Sequence, residues 1–379
     1  MSDYVRRLPD HSADLSQRQN MWERLHIDLP LLGLLLLLTT MGMIVLYSAS
    51  GKDMGAVIRQ GRFLLVGYVV MLVAAQISLQ RYQRWGIWFY LGGVALLLAV
   101  DLVGVGAKGA QRWLSIGGFR FQPSELMKLV VPMTVAAYLA EKILPPRPKH
   151  LLVCLLAIIL PSALILIQPD LGTSLLIAAS GLFVVFVAGI GWRYIFGAAI
   201  LACLSAWPVW MYGLKDYQKQ RILTMLNPES DKLGAGWNII QSKTAIGSGG
   251  WEGKGWLSGT QSQLDFLPES HTDFIIAVLA EEWGLRGVLL LLSVYLLMLL
   301  RGFWIGLRSR SSYGRMMAGS LTLTFFVYVF VNMGMVAGLL PVVGVPLPLV
   351  SAGGTSVVTL LAGFGLLMAV STEQRAVVR

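Results

Sequence analysis

Long apolar runs alternate with short polar segments along most of the chain. Ten of these runs are long enough to cross about 30 Å of hydrocarbon as helices, at approximately residues 28–47, 62–78, 86–104, 124–140, 150–168, 173–189, 193–213, 274–300, 316–340 and 354–370. The pattern predicts an all-α polytopic membrane protein with ten transmembrane helices. An even number of crossings also places both termini on the same side of the membrane.

Positive charge is distributed unequally between the two sides that this topology defines. Sixteen of the 30 Lys and Arg residues lie in the segments on the amino-terminal side, although the stretches on the opposite side are much longer. Loops on the cytoplasmic side carry an excess of Lys and Arg, so we expect both termini in the cytoplasm. The net charge of +10 then follows from topology, and no nucleic-acid partner is expected.

One connection is much longer than the others, and it divides the chain. The predicted parts are a cytoplasmic tail at 1–27, helices one to seven within 28–213, a large extracytoplasmic loop at 214–272, helices eight to ten within 273–370, and a tail at 371–379. Loops of this length in compact proteins are usually functional or disordered. Hydrophobic residues spaced among its glycines predict that this loop folds back onto the helices.

The stretch LPESHTDFIIAVLAEEWG places acidic residues at and beyond the start of an apolar run. Asp273 follows His271 closely at the membrane boundary. Its carboxylate could cap the helix or act as a general base, and the convergence of titratable groups favours a site.

Two further acids, Glu281 and Glu282, lie deeper in the same run. Ionised residues at bilayer depth cost about 2.5–3.5 kcal/mol unless they are paired or face water. Glu282 precedes Arg286 by four residues, the better orientation for a helical ion pair. We therefore predict a structural Glu282–Arg286 pair, with both glutamates holding helices together rather than catalysing.

A second cluster, KGAQRWLSIGGFRFQPSELMK, combines acid and base at another boundary. Glu125 and Lys128 are three residues apart at the start of a helix, and Arg112 lies in the preceding loop. The alternatives are a salt bridge with an interfacial arginine, or a cationic site for an anionic headgroup such as a diphosphate. The residues alone leave both open.

Two more segments carry candidate polar groups. In QPDLGTS, Asp170 could cap a helix or contribute to a ligand site where backbone approaches closely. The loop piece GSGGWEGKGWLSGTQSQ lacks the residues of a phosphate-binding loop. Its Gln261 and Gln263 are instead candidate hydrogen-bonding partners for a sugar.

Several of these motifs, in this order, resemble the SEDS family of polytopic cell-wall proteins. The resemblance runs from about residue 22 to about residue 370 and is carried by YSASGKD, KGAQRWL, FQPSE, QPDLGTS, NPESDKLGAGWNIIQSKTAIGSGG, GTQSQLDFLPESHTDF and LPVVGVPLPLVS. The large loop is more similar to the elongation branch, which maintains rod shape, than to the division branch. One departure is Ala352, where the family usually has an aromatic residue.

The resemblance implies a peptidoglycan glycosyltransferase that polymerises lipid II into glycan strands at the outer face of the bacterial cytoplasmic membrane. It implies a class B penicillin-binding protein as partner, with other elongation-complex proteins. Asp273 corresponds to the proposed catalytic acid, and Asp170, Glu125 and Lys128 match further motif positions.

We expect Asp273 to be the base, and Arg112 and Lys128 to stabilise charge on the diphosphate. Glu125, His271, Gln261 and Gln263 complete the expected substrate site. Asp170 would orient a sugar or help hold a divalent cation, Mg²⁺ or Mn²⁺; no cofactor is certain. Alternative functions are a lipid II flippase and a non-catalytic scaffold for the penicillin-binding protein.

Overall fold

The computed structural model describes residues 25–107, 110–116, 119–231, 234–263 and 269–376. Its helices are α1 (Leu29–Ala49), α2 (Met54–Ala75), α3 (Leu79–Val103), α4 (Pro123–Ala140), α5 (Pro148–Ile167), α6 (Leu171–Val187), α7 (Trp192–Pro208), α8 (Asp216–Leu226), α9 (Ala235–Gly249), α10 (Thr260–Gln263), α11 (Ile275–Arg308), α12 (Ser312–Val336) and α13 (Thr355–Ala376). A π-helical turn, Val209–Gly213, continues α7, and a 3-10 turn, Pro228–Asp231, follows α8.

Each predicted apolar run coincides with a helix of the described chain. Eight of them are long and apolar enough to cross a membrane, namely α1, α2, α3, α5, α7 with its π turn, α11, α12 and α13. The other two runs correspond to α4 and α6. Helix α4 packs against α3, α5, α6, α12 and α13, so it lies at the centre of the bundle. The chain is therefore a multi-pass membrane protein of the all-α class.

Short acidic side chains determine where several helices begin. The Asp28 carboxylate accepts the amide N–H of Leu31 at 3.1 Å, and Asp53 accepts that of Gly55 at 2.7 Å. Because of the Asp53 cap, α2 begins at Met54 rather than at the predicted residue 62. Hydropathy missed these first turns because they contain Arg59 and Gln60.

The start of α1 and the last turns of α13 meet at one end of the bundle. The Asp28 carboxylate at the start of α1 accepts hydrogen bonds from Arg301 of α11 at 2.7 Å and from Ser371 of α13 at 2.8 Å. This ion pair and its hydroxyl partner, which we call the clasp, fasten three helices together. The start of α1 and the end of α13 therefore lie at the same end of the bundle, as an even number of membrane crossings requires.

Three short strands were not predicted in the connection between α3 and α4. Strands β1 (Val105–Ala107), β2 (Ala110–Ile116) and β3 (Phe119–Phe121) pair in that order as an antiparallel sheet. The large loop does fold back, because α9 packs on α11 and the Ser242 hydroxyl donates to the carbonyl of Val336 on α12 at 2.9 Å.

Helix α11 is interrupted at Gly284, whose φ of 64° and ψ of −163° leave the helical region. In an unbroken helix, the two amides after this glycine would bond to carbonyls four residues earlier. The large loop instead supplies the partners in four hydrogen bonds: Leu285 N to Gly250 O (2.9 Å), Arg286 N to Trp251 O (3.3 Å), Lys254 N to Glu281 O (3.0 Å) and Gly255 N to Glu282 O (2.9 Å). We call residues 249–261 together with 281–286 the loop anchor.

The loop anchor explains why acids are tolerated in this run. The fully buried Glu281 side chain accepts from the Lys254 ammonium at 2.7 Å, and from the amides of Thr260 at 2.8 Å and Gln261 at 3.0 Å. Its charge is therefore compensated by an ammonium group and by amide dipoles. Glu281 lies inside protein rather than in lipid.

The predicted Glu282–Arg286 pair is wrong. Gly284 breaks the helical register between the two residues, and the loop anchor brings a nearer acid to the arginine. Arg286 pairs with Glu252 at 3.1 Å, and both side chains are exposed. Buried Glu282 instead accepts a short hydrogen bond from Ser48 of α1. It therefore links α11 to α1, which agrees with the structural role expected for both glutamates.

Candidate active site

Asp273 lies in the turn that leads into α11, and its side chain is half-buried rather than sealed. The N-cap residue of α11 is Phe274, whose side chain makes no capping hydrogen bond, so Asp273 precedes the N-cap position rather than occupying it. Its main-chain carbonyl accepts from the Asn332 side chain on α12 at 2.8 Å. The carboxylate lies beside Gly344, where an added Cβ would be 3.7 Å from Oδ2.

The proline-rich segment 341–351 supports the turn that carries Asp273. The Ser351 hydroxyl donates to the carbonyl of Thr272 at 2.5 Å, and the Tyr295 hydroxyl donates to the carbonyl of Pro348 at 2.8 Å. Such side-chain donors replace the regular helical bonds that this segment lacks. Its neighbour Ala352 donates its amide to the carbonyl of His271 at 2.9 Å, a contact that does not depend on the side chain at 352.

Asp170 takes the capping role that the sequence left open, and it also faces a cationic side chain. Its buried carboxylate caps α6 by accepting the amide of Thr173 at 3.1 Å. It also faces Arg112, with Oδ2 3.7 Å from the guanidinium Nε. Strand β2 brings this arginine to α6, where its Nη2 donates to the carbonyl of Pro169 at 2.5 Å. The Arg112 side chain remains 34% exposed, so it is available to an anionic ligand.

The starts of α6 and α11 approach the same stretch of backbone. A Cβ on Gly172 would lie 2.9 Å from the carbonyl oxygen of Val343, and the next residue, Gly344, lies against Asp273. The first turn of α6, which Asp170 caps, and the turn that carries Asp273 therefore both approach residues 343–344. This segment brings them to one end of the bundle, opposite the clasp.

Glu125 and Lys128 form the salt bridge that their spacing predicts. The ammonium lies 2.6 Å from Oε1, and both side chains are buried. The ammonium also lies 5.0 Å from the centroid of the Tyr328 ring, and Thr359 donates to Oε2 of Glu125 at 3.5 Å. Together these residues line a small cavity between α4, α12 and α13. The charge of Lys128 is thus already compensated inside the protein.

A groove of about 550 Å³ runs beside this cavity. Its lining residues are Arg59, Arg62, Phe63, Val66, Phe121, Thr355, Val358 and Thr359. Thr359 borders both spaces. Val66 is 52% exposed on the outside of the bundle, so the groove reaches the lipid-facing surface. Two guanidinium groups thus lie at the edge of an otherwise apolar groove.

The remaining predicted residues are placed less centrally. His271 is exposed, and the amide of Gln261 belongs to the loop anchor. The side chain of Gln263 lies outside the described residues. Within the described ranges, no group of three or more His, Cys, Asp or Glu side chains is arranged to hold a metal ion.

Sequence reasoning missed Asn332 and Tyr328. Each is a single polar side chain within an apolar run, and such residues carry no local signal because hydropathy tolerates them. Only the fold shows that Asn332 contacts the Asp273 turn and that Tyr328 contacts Lys128.

The sequence matches the family profile described as "Cell cycle protein", of FtsW, RodA and SpoVE, over residues 29–376. It is 51% identical to peptidoglycan glycosyltransferase MrdB of Escherichia coli K12, covering 96% of this chain and 98% of that protein. It is 36% identical to the probable peptidoglycan glycosyltransferase FtsW of Geobacter metallireducens, covering 96% and 99%.

Two solved structures share the fold. The crystal structure of Thermus thermophilus rod shape determining protein RodA aligns with a TM-score of 0.70 and 28% identity, covering 92% of this chain and 97% of that one. A chain from a peptidoglycan synthase complex, solved to explain how polymerization and crosslinking are coordinated, aligns with a TM-score of 0.81 and 32% identity, covering 92% and 98%. This chain therefore belongs to the FtsW, RodA and SpoVE family of cell cycle proteins, the SEDS family that its motifs indicate.

Proposed function

We propose that this protein is a peptidoglycan glycosyltransferase that polymerises lipid II at the outer face of the bacterial cytoplasmic membrane during cell elongation. The observation that carries the proposal is Asp273, a half-buried carboxylate in a turn held by main-chain and side-chain hydrogen bonds. Relatives that cover nearly the whole chain are named for this activity, which supports the assignment.

In the proposed reaction, Asp273 removes the proton from the 4-hydroxyl of an acceptor GlcNAc. The hydroxyl oxygen then bonds to C1 of the MurNAc at the growing end, and the bond from C1 to the diphosphate breaks. Undecaprenyl diphosphate leaves with the bonding electrons. A base must lie within about 2.6–3.2 Å of the hydroxyl in a competent pose, and Gly344 places no side chain beside the carboxylate.

Negative charge that develops on the diphosphate requires cationic groups. Arg112 is partly exposed beside Asp170, and Arg59 and Arg62 line the groove that reaches the lipid surface. We assign the polyprenyl chain to this groove and the diphosphate to its arginines. The charge of Lys128 is compensated by Glu125, so this proposal assigns Lys128 no direct contact with the diphosphate.

A divalent cation belongs with the substrate in this proposal. The described residues contain no cluster of three metal-ligating side chains, whereas the diphosphate itself offers oxygen ligands of the kind that Mg²⁺ prefers. Asp170 would add one carboxylate, in competition with its contact to Arg112.

We further propose a class B penicillin-binding protein as partner, together with other proteins of the elongation complex, and both termini in the cytoplasm. The similarity to a chain from a peptidoglycan synthase complex supports such an assembly. The positive charge on the terminal side of the membrane supports the orientation.

The test is polymerisation of lipid II in proteoliposomes that contain the purified protein and its partner but no other transferase. Asp273→Asn should abolish glycan chains while expression and complex formation stay intact. Glu252→Gln, an acid-to-amide change at an exposed position of the same face, is the matched control and should leave product unchanged. Retained activity of Asp273→Asn would reject the base assignment.

The same assay separates the alternative functions. A flippase would move lipid II across the membrane without making glycan. A scaffold would make no glycan either, and Asp273→Asn would leave its function unchanged. The clasp fastens α1, α11 and α13 at the end of the bundle opposite Asp273, and a path for a polar headgroup would have to pass that end.

A further inference from the structure

Asn332 is a side chain of α12 with no exposed surface. We infer that it is the positioning residue for Asp273, an inference that rests on the function proposed above. Both protons of its amide are used: Nδ2 donates to the carbonyl of Asp273 at 2.8 Å and to the carbonyl of Val345 at 2.7 Å. The two acceptors belong to segments that are far apart in the sequence.

The two hydrogen bonds fix the position of the turn that carries Asp273 and of the backbone segment opposite its carboxylate. Val345 adjoins Gly344, whose backbone lies against the Asp273 carboxylate. A planar amide sets the spacing of its two acceptors rigidly, and α12 is a long helix with most of its residues buried. Asn332 therefore determines the distance between the carboxylate and the backbone that borders the acceptor's space.

The third polar atom of the amide argues against a purely structural role. Oδ1 of Asn332 is buried and has no hydrogen-bond partner among the described residues. A buried acceptor without a partner opposes folding, so the oxygen itself gives no reason for an amide at this position. What the amide adds is its pair of donors, and both contact the active-site backbone.

Removal of the donors should displace the base without closing the lipid groove. A misplacement of about 1 Å at a reacting group lowers turnover by roughly 100-fold. We therefore expect Asn332→Ala and Asn332→Leu to lower kcat about 100-fold with little change in KM for lipid II. Asn332→Ser keeps one hydroxyl donor and should recover part of the loss.

Ser320→Ala is the matched control, because Ser320 is also fully buried on α12 and donates to the carbonyl of Ser180 at 2.7 Å. It should lower the apparent melting temperature without changing kcat. The assay is steady-state polymerisation with the partner present, with kcat measured as a function of pH. The acid limb of that profile reports the base, so it should shift in the Asn332 variants and not in Ser320→Ala.

A normal kcat for Asn332→Ala, or a loss of kcat that simply follows the melting temperature across all variants including Ser320→Ala, would overturn the inference. If Asn332→Ala fails to fold, the kcat and the pH profile of Asn332→Ser provide the test instead. Asp273→Asn is run in parallel: if it stays active, the proposed base is wrong, whereas an inactive Asp273→Asn with normal Asn332 variants refutes only the positioning role.

Discussion

Replacement of Gly284 by alanine tests whether the large loop is built into α11. A Cβ at this position would lie 2.4 Å from the amide nitrogen of Gly253 and 2.6 Å from the carbonyl oxygen of Trp251, so the loop would have to retreat. The backbone there has φ of 64° and ψ of −163°, a conformation that costs a residue with a Cβ about 1–3 kcal/mol. If the loop retreats, at least two of the four exchanged hydrogen bonds are lost, at about 1 kcal/mol each.

These terms give a destabilisation of roughly 3–5 kcal/mol for Gly284→Ala. The measurement is the apparent melting temperature of the detergent-purified protein by tryptophan fluorescence, with limited proteolysis of the large loop as a second probe. Gly92→Ala in α3 is the matched control, because a Cβ there meets no atom within 4 Å. It should be neutral or stabilising by up to about 1 kcal/mol. A Gly284→Ala protein that melts and resists protease like the parent would refute the loop anchor.

Three further outcomes are expected. Lys128→Met leaves buried Glu125 without its cation and should destabilise by about 3–5 kcal/mol; the double change that also makes Glu125→Leu should restore most of the melting temperature. Arg112→Ala should raise KM for lipid II more than it lowers kcat, and an unaltered saturation curve would count against its contact with the diphosphate. In a protein without native cysteines, Ser258→Cys should react with a membrane-impermeant maleimide on spheroplasts, whereas Ser312→Cys, also exposed, should react only after permeabilisation.

The features that sequence could predict are those set by local chemistry. Apolar runs determine the helices because the bilayer leaves the backbone few alternatives. The spacing of Glu125 and Lys128 predicts their pair, since neighbours on one helical face meet whatever surrounds them. Asp170 could be expected to cap α6 because the residues after it form an apolar run.

The features that sequence could not predict depend on contacts between distant segments. Asn332 looks like an isolated polar residue until α12 packs beside the Asp273 turn. Arg286 has the helical spacing to pair with Glu282, but Gly284 ends the helical register and the loop brings Glu252 to the arginine. In this second case the local rule was sound, and a tertiary contact overrode it.

The loop anchor is held largely by main-chain hydrogen bonds, so most of its side chains do not contribute to the attachment. Five glycines and one ion pair are exceptions. A Cβ on Gly249, Gly253 or Gly284 would lie 2.0, 2.2 or 2.4 Å from backbone atoms of the opposite segment, Gly250 and Gly255 have positive φ angles, and Lys254 pairs with Glu281. The exposed side chains of Trp251 and Glu252 can therefore diverge among species, or be randomised in a display library, while the attachment persists. This part of the protein surface is thus free to acquire new recognition properties at little risk to the fold.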